Sequence, residues 1–267
     1  MRHKEVSENG SLKKVFIFVS LVSFLVFISF SIKFYFLVKR GKFDGVHQLN
    51  LAVKAKNEFA IVSFNPESQS IYALSVSKSS DFSRFKKTLS LPVDGEISFE
   101  RGDILTKAQD VDDLVAGSIF SHSDSNLTVL DFLRLYIFAK TIPSSSITFA
   151  KLDAAESIDS VEKISSVKFL DNKISEEKAS IEIINATDVT GLGSKFAKIV
   201  TNIGGNVVSV TSGNEENKSS ISFFGEKTYT LERLSSILKL EPREMKTPQI
   251  SDIVIILGKD KEGLDIF

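Results

Sequence analysis

The chain has no cysteine. Disulfides, zinc–thiolate centres and thiol nucleophiles are therefore excluded, and the fold must be held by packing alone. Tryptophan is absent as well. The three histidines, His3, His47 and His122, are scattered, with no metal-ligand spacing between them. Ser75, Ser77, Ser79 and Ser80 lack a nearby histidine to activate a hydroxyl, which argues against a hydrolase triad. Neither sign of charge dominates: 33 basic residues face 34 acidic ones, for a net charge of −1. No global field draws the chain to nucleic acid.

What is present is apolar. Hydrophobic residues make up 42% of 267 positions, and 22 of them are phenylalanine. That is enough for a membrane anchor and one or two small domains of roughly 100–150 residues. Much of the phenylalanine lies near the N-terminus. Residues 1–14 are polar, and from Val15 to Ile32 every residue is apolar or serine. After Lys33 the run resumes to Val38 and stops at Lys39-Arg40-Gly41-Lys42. About 20 apolar residues span a hydrocarbon core of about 30 Å. Residues 15–38 are thus expected to form one uncleaved transmembrane helix, with Lys33 snorkelling near one end and Tyr35 at the interface. A signal peptide would have a shorter core and a small-residue cleavage site, and 34–40 offers none. The flanks carry similar positive charge, so the positive-inside rule barely sets the orientation.

Residues 45–152 read as a first α/β domain. Strands are expected at 49–53, 59–64 and 71–76, the last two joined by the turn Asn65-Pro66-Glu67-Ser68. An extended stretch follows at 89–97. Helices are expected from Asp110, with acidic residues at its positive end, and over 127–139, with Asn126 as cap and Pro143 as stop. Asp110, Asp112 and Asp113 could bind a divalent cation, but a solvated helix start is the simpler reading. Residues 147–152 form a last strand. Residues 153–178 are a polar bridge, 261–267 a tail.

Residues 179–260 carry the best-specified pattern. Ile181–Ile184 is a nearly continuous apolar strand, as in a sheet buried on both faces. Asn185–Thr190 is a polar loop. Leu192, Phe196, Ile199, Val200 and Ile203 recur at helical spacing. Gly204-Gly205 ends that helix, and 206–210 is the next strand, reached by a crossover. A strand at 219–224, a helix at 229–240 closed by Pro242, and a strand at 253–257 complete a β-α-β-β-α-β unit. The fold class is therefore α/β, in two-layer domains behind a single anchor.

Gly191-x-Gly193 after a strand invites a dinucleotide reading. The third glycine is missing, since position 196 is Phe, and no acidic partner for a ribose follows the second strand. The two glycines are better read as a tight loop with close packing. Thr190–Lys195 does not satisfy a phosphate-binding P-loop either. Arg84, Lys86 and Lys87 form a small basic patch, most simply a solvated surface.

The terminal unit resembles the C-terminal domain of LytR-CpsA-Psr proteins. The matching residues are Ile183-Ile184-Asn185-Ala186-Thr187, then Gly191-Leu192-Gly193-Ser194-Lys195-Phe196-Ala197 opening a helix. Gly204-Gly205-Asn206-Val207-Val208 and the closing run Asp252–Asp260 complete them. The resemblance implies a bacterial protein held in the plasma membrane by one helix, N-terminus cytoplasmic and bulk extracytoplasmic. The implied partners are a cell-wall polymer or an envelope protein. Asn185, Thr187, Gly191, Gly193 and Lys195 are the candidate binding residues. No cofactor, metal or catalytic residue is assigned.

The family's upstream domain transfers glycopolymer from a polyprenyl-pyrophosphate carrier, using arginines and acidic residues. Residues 50–152 are only faintly similar to it. Ser77, Lys78 and Ser79 stand where the family has Pro, Arg and Asp, and Ser90-Leu91-Pro92-Val93-Asp94 has Val in place of arginine. Pyrophosphate calls for bidentate guanidinium donors, and the region has only Arg84, Arg101 and Arg134. It reads as a degenerate domain. The expectation is a non-catalytic envelope-binding protein, with a divergent glycopolymer transferase as the alternative.

Overall fold

The computed structural model describes residues 8–56, 58–77, 90–98, 107–120, 125–152, 169–247 and 250–262. His3, Lys78, Ser79, Ser80, Arg84, Lys86, Lys87, Leu89, Arg101, His122, most of the expected 153–178 bridge and the end of the expected tail lie outside these residues. The chain forms two compact units, residues 1–41 and 42–267.

The first unit is one helix, α1 (Glu8–Arg40). Its apolar side chains are exposed from Val15 to Phe36 and at Val38, with Leu37 half-buried. The stretch Lys13–Arg40 is the single span among the described residues long and apolar enough to cross a membrane. Its 28 residues reach about 42 Å at 1.5 Å per residue.

The second unit holds two five-stranded sheets. The first contains β1 (Leu49–Lys54), β2 (Glu58–Asn65), β3 (Ser70–Ser77), β4 (Gly95–Ser98) and β5 (Ile147–Leu152), in the order β4-β1-β2-β3-β5. β1, β2 and β3 form an antiparallel meander, flanked by β4 parallel to β1 and β5 parallel to β3. Asn65 closes the β2–β3 turn by accepting from the amides of Glu67 (3.1 Å) and Ser68 (3.0 Å).

Side chains alternate across this sheet, and both of its faces are covered. Leu51, Val53, Ala60, Val62, Phe64, Ile71 and Ala73 pack against α2 (Ala108–Phe120) and α3 (Val129–Thr141) through Val111, Leu114, Val115, Phe132, Leu135 and Ala139. The opposite residues, Ala52, Phe59, Ile61, Tyr72 and Leu74, belong to a core that continues into the C-terminal half.

That half is built on β6 (Ser180–Asn185), β7 (Asn206–Ser212), β8 (Ser220–Phe223), β9 (Arg243–Glu244) and β10 (Ile253–Leu257), in the order β7-β6-β10-β8-β9. It also holds α4 (Asn172–Glu177), α5 (Leu192–Asn202) and α6 (Tyr229–Leu238). The expected β-α-β-β-α-β order is present, with the two-residue β9 as an addition. α5 and α6 bury Phe196, Ile199, Val200, Leu231, Leu234 and Leu238 in the shared core, with Ile181, Ile183, Ile221, Ile253, Ile255 and Leu257 from the second sheet. The core therefore runs unbroken from one sheet, through these helices, to the other.

Two local expectations are corrected. β6 is not buried on both faces: its burial alternates, with Ile181, Ile183 and Asn185 inside and Ser180, Glu182 and Ile184 half-buried. The core formed with α5 and α6 covers the face that carries Ile181 and Ile183. The strands covered on both faces are β1, β2 and β3, in the other sheet. The second correction concerns the cap of α3, which is Thr128 and not Asn126. Thr128 Oγ1 accepts from the Asp131 amide, and Asp131 returns a bond to the Thr128 amide, a reciprocal capping box. Asn126 instead accepts from the Glu96 amide at 2.9 Å.

Candidate functional site

The loop after β6 holds the residues expected to bind. Asn185 Oδ1 accepts from the Thr187 hydroxyl (2.7 Å) and amide (3.3 Å), and its Nδ2 donates to the Val189 carbonyl (3.0 Å). Thr187 Oγ1 also accepts from the Val189 amide at 3.2 Å. Asn185 and Thr187 thus form the loop's own turn. Gly191 caps α5 with φ +80°, a left-handed position that costs a side-chain residue strain. A Cβ on Gly193 would lie 3.1 Å from Val210 and 3.3 Å from Asn185 Cβ, so glycine here lets α5 approach the sheet. Lys195 is exposed on the first turn of α5.

This loop adjoins two others at the C-terminal ends of the parallel strands β6 and β10. The Ala186 amide donates to Leu257 O, and its carbonyl accepts from the Glu216 amide. Asp260 Oδ1 accepts from the amide and hydroxyl of Ser219, both at 2.7 Å. A Cβ on Gly258 would sit 2.6 Å from the Lys218 carbonyl carbon. At the opposite end, Asp252 Oδ2 accepts from the amide (2.8 Å) and hydroxyl (2.6 Å) of Ser180. These bonds hold the Asp252 carboxyl below its usual range. Loops at the C-terminal ends of parallel strands are a common place for ligands in α/β folds.

A second polar cluster joins the two halves. Arg233, on α6, is 4% exposed and forms a bidentate pair with Asp94 at 2.8 and 2.9 Å. Burial alone would lower the Arg233 guanidinium, but the Asp94 carboxylate raises it further. Asp94 Oδ2 also accepts from the Asn50 amide at 2.8 Å, so one carboxylate ties α6 to β1. Lys42 Nζ donates to the Asp94 carbonyl at 2.6 Å. Nearby, Tyr229 donates to Asp171 at 2.8 Å and stacks on His47, with ring centres 4.5 Å apart. Burial and the Asp171 charge push the Tyr229 phenol far above its usual range. Asp44 accepts from His47 Nδ1 at 2.5 Å. Burial pushes the Asp44 carboxyl up, yet the bonds from His47 and Val46 hold it below the carboxylate range.

The upstream charges are bonded into the scaffold too. Asp131 is wholly buried and takes the amides of Lys42 (2.7 Å), Phe43 (2.9 Å) and Thr128 (2.8 Å), and the Thr128 hydroxyl (2.8 Å). Arg134 donates to the Phe43 carbonyl at 2.9 Å. Asp112 pairs with Lys140 at 2.5 Å, and Asp110 accepts from the Lys107 amide at 2.8 Å. The junction residues Asp94, Arg233, Asp171 and Tyr229 were not among the expected ones. Arg233 carried the one available signal, a lone cation between Leu231 and Leu234 on an apolar helix face.

Residues 178–260 match the family profile described as LytR cell envelope-related transcriptional attenuator. This segment is similar to the LytR C-terminal domain. The profile leaves the chain upstream of residue 178 outside its bounds. No curated protein matches the chain. Among solved structures, the Lin1025 protein of Listeria innocua is 14% identical, covering 73% of this chain and 98% of its own, at TM-score 0.19. The Lmo1026 protein of Listeria monocytogenes, described as a transcriptional factor, is 10% identical over 72% of this chain and 96% of its own, also at TM-score 0.19. Within the LytR C-terminal domain, the Asn185 turn, Gly258, Asp252 and Asp260 all fix one loop or strand to another.

Proposed function

We propose that this chain is a membrane-anchored cell-envelope protein. In this reading α1 spans the plasma membrane with the N-terminus in the cytoplasm, and the body, residues 42–267, lies outside. The body binds a wall polymer or an envelope partner without chemical turnover. The surface assigned to binding is the β6–α5 loop of the LytR C-terminal domain, with the exposed Lys195 ammonium as its charged contact and Thr187, Gly191 and Gly193 shaping the approach.

One observation carries the non-catalytic reading. Among the described residues, the upstream charged groups Arg134, Asp131 and Asp94 are each bonded into the scaffold. A guanidinium held on a main-chain carbonyl and a carboxylate saturated by donors are poorly placed to receive a pyrophosphate or its metal.

The body sedimented with isolated cell wall provides the test. Retention above a control domain, reduced by Lys195→Glu, is the expected result. No retention above the control would remove wall binding. A thermal shift of the full chain with polyprenyl pyrophosphate and Mg²⁺ would instead revive the transferase reading.

A further inference from the structure

Exposed apolar residues are ordinary when they occur singly. On α3 they form a line. Val129, Leu133 and Ile137 are 61%, 47% and 55% exposed. Their spacing of four residues places them on one face, opposite the buried Phe132, Leu135 and Ala139. At 1.5 Å per residue the line is about 12 Å long. Tyr136 and Lys140 border it, the Lys140 ammonium 5.5 Å from the Tyr136 ring centre.

The position of α3 along the chain identifies what this face meets. α1 ends at Arg40, and only Gly41 separates it from Lys42. The amides of Lys42 and Phe43 are bonded to Asp131, in the first turn of α3, and Arg134 of α3 holds the Phe43 carbonyl. A residue spans at most about 3.6 Å, so at most about 7 Å of chain runs from Arg40 to Lys42. We propose that the Val129–Leu133–Ile137 face of α3 rests in the interfacial layer of the bilayer that α1 crosses. An apolar helical face bordered by tyrosine and lysine suits the headgroup–acyl boundary, where the aromatic ring and the lysine head both find water and lipid. The inference rests on the anchored reading of α1.

The missing cysteines make the test direct, because each introduced thiol is unique. Leu133→Cys, Ile137→Cys, the reference Thr211→Cys on β7 and the anchor control Leu25→Cys are labelled with an environment-sensitive fluorophore in the full chain. The chain is reconstituted in phosphatidylcholine–phosphatidylglycerol liposomes carrying nitroxide lipids. Labels at 133 and 137 are expected to shift to the blue and lose most of their emission to a nitroxide near the headgroup, while the label at 211 does not. The label at 25 is expected to be quenched by a nitroxide deep in the tail. If 25 is quenched but 133 and 137 behave like 211, the docked face is refuted and the anchor stands. If 25 is not quenched, the anchor fails and the docked face with it. A blue shift at 133 that is insensitive to nitroxide and grows with the protein-to-lipid ratio would assign the face to a second copy, which also overturns the proposal.

Discussion

Replacing Arg233 by methionine keeps much of the side-chain volume and removes both bonds to Asp94. The Asp94 carboxylate is then left mostly buried, with the Asn50 main-chain amide still donating to it. Removing one member of a buried pair costs about 3–5 kcal/mol, because the other charge stays desolvated. For a unit of this size each kcal/mol lowers Tm by about 2–4 °C, so a fall of about 6–20 °C is expected. The chain has no tryptophan, so unfolding of the body in urea is best followed by far-UV circular dichroism. The double variant Asp94→Leu, Arg233→Met removes both charges together. It should recover most of the loss, short of wild type by about 1–3 kcal/mol for the Asn50 amide left without an acceptor. A single-variant cost below about 1 kcal/mol would refute the view that this pair couples the halves. So would a double variant that loses the sum of the two singles.

Other outcomes follow from the same contacts. Ser180→Ala should raise the Asp252 pKa toward its ordinary value, read by NMR titration. Because the folded-state value is depressed, the stability Asp252 contributes is present above its unfolded pKa and is lost as pH falls through the folded one, and Ser180→Ala should flatten that acid limb. Gly258→Ala places a Cβ against the Lys218 and Glu216 main chain and should cost about 1–3 kcal/mol in denaturant unfolding. Gly191→Ala meets no atom within 4 Å and should cost only its left-handed strain, about 1 kcal/mol. Asp131→Asn turns an amide donor toward N–H groups that need an acceptor, and should lower stability by about 3 kcal/mol in the same assay.

The sequence made the LytR C-terminal domain legible because its elements are short and locally coded. Helical spacing marks α5 and α6, Gly204-Gly205 ends the first and Pro242 follows the second, and alternating or apolar runs mark the strands. β9 escaped because two residues carry no period. The α3 cap was misread because Asn126 is the stronger isolated cap former. The Thr128-x-x-Asp131 spacing, a capping-box variant, was the better signal. The candidate loop was readable as a turn, and its chemistry was not. Nothing local to Asn185 or Thr187 says that their polar atoms close on each other. The junction was the least legible part. Asp94 looks like any turn acid, and its partner is 139 residues away. Only tertiary packing brings them together, and pairing at that distance leaves no trace in a window of neighbouring residues.

The shared core also sets an order of events during synthesis. Phe59, Ile61 and Leu74 are covered by helices whose own sheet has β10, residues 253–257, between β6 and β8. That sheet cannot close before the final strand has emerged. At about 5–20 residues per second, the wait between completing β3 and completing β10 is on the order of ten seconds or more. Throughout that interval the upstream meander presents a bare apolar face. The nascent chain therefore needs either a holdase or rapid completion, and truncation anywhere before β10 should yield an aggregating product rather than a stable upstream half.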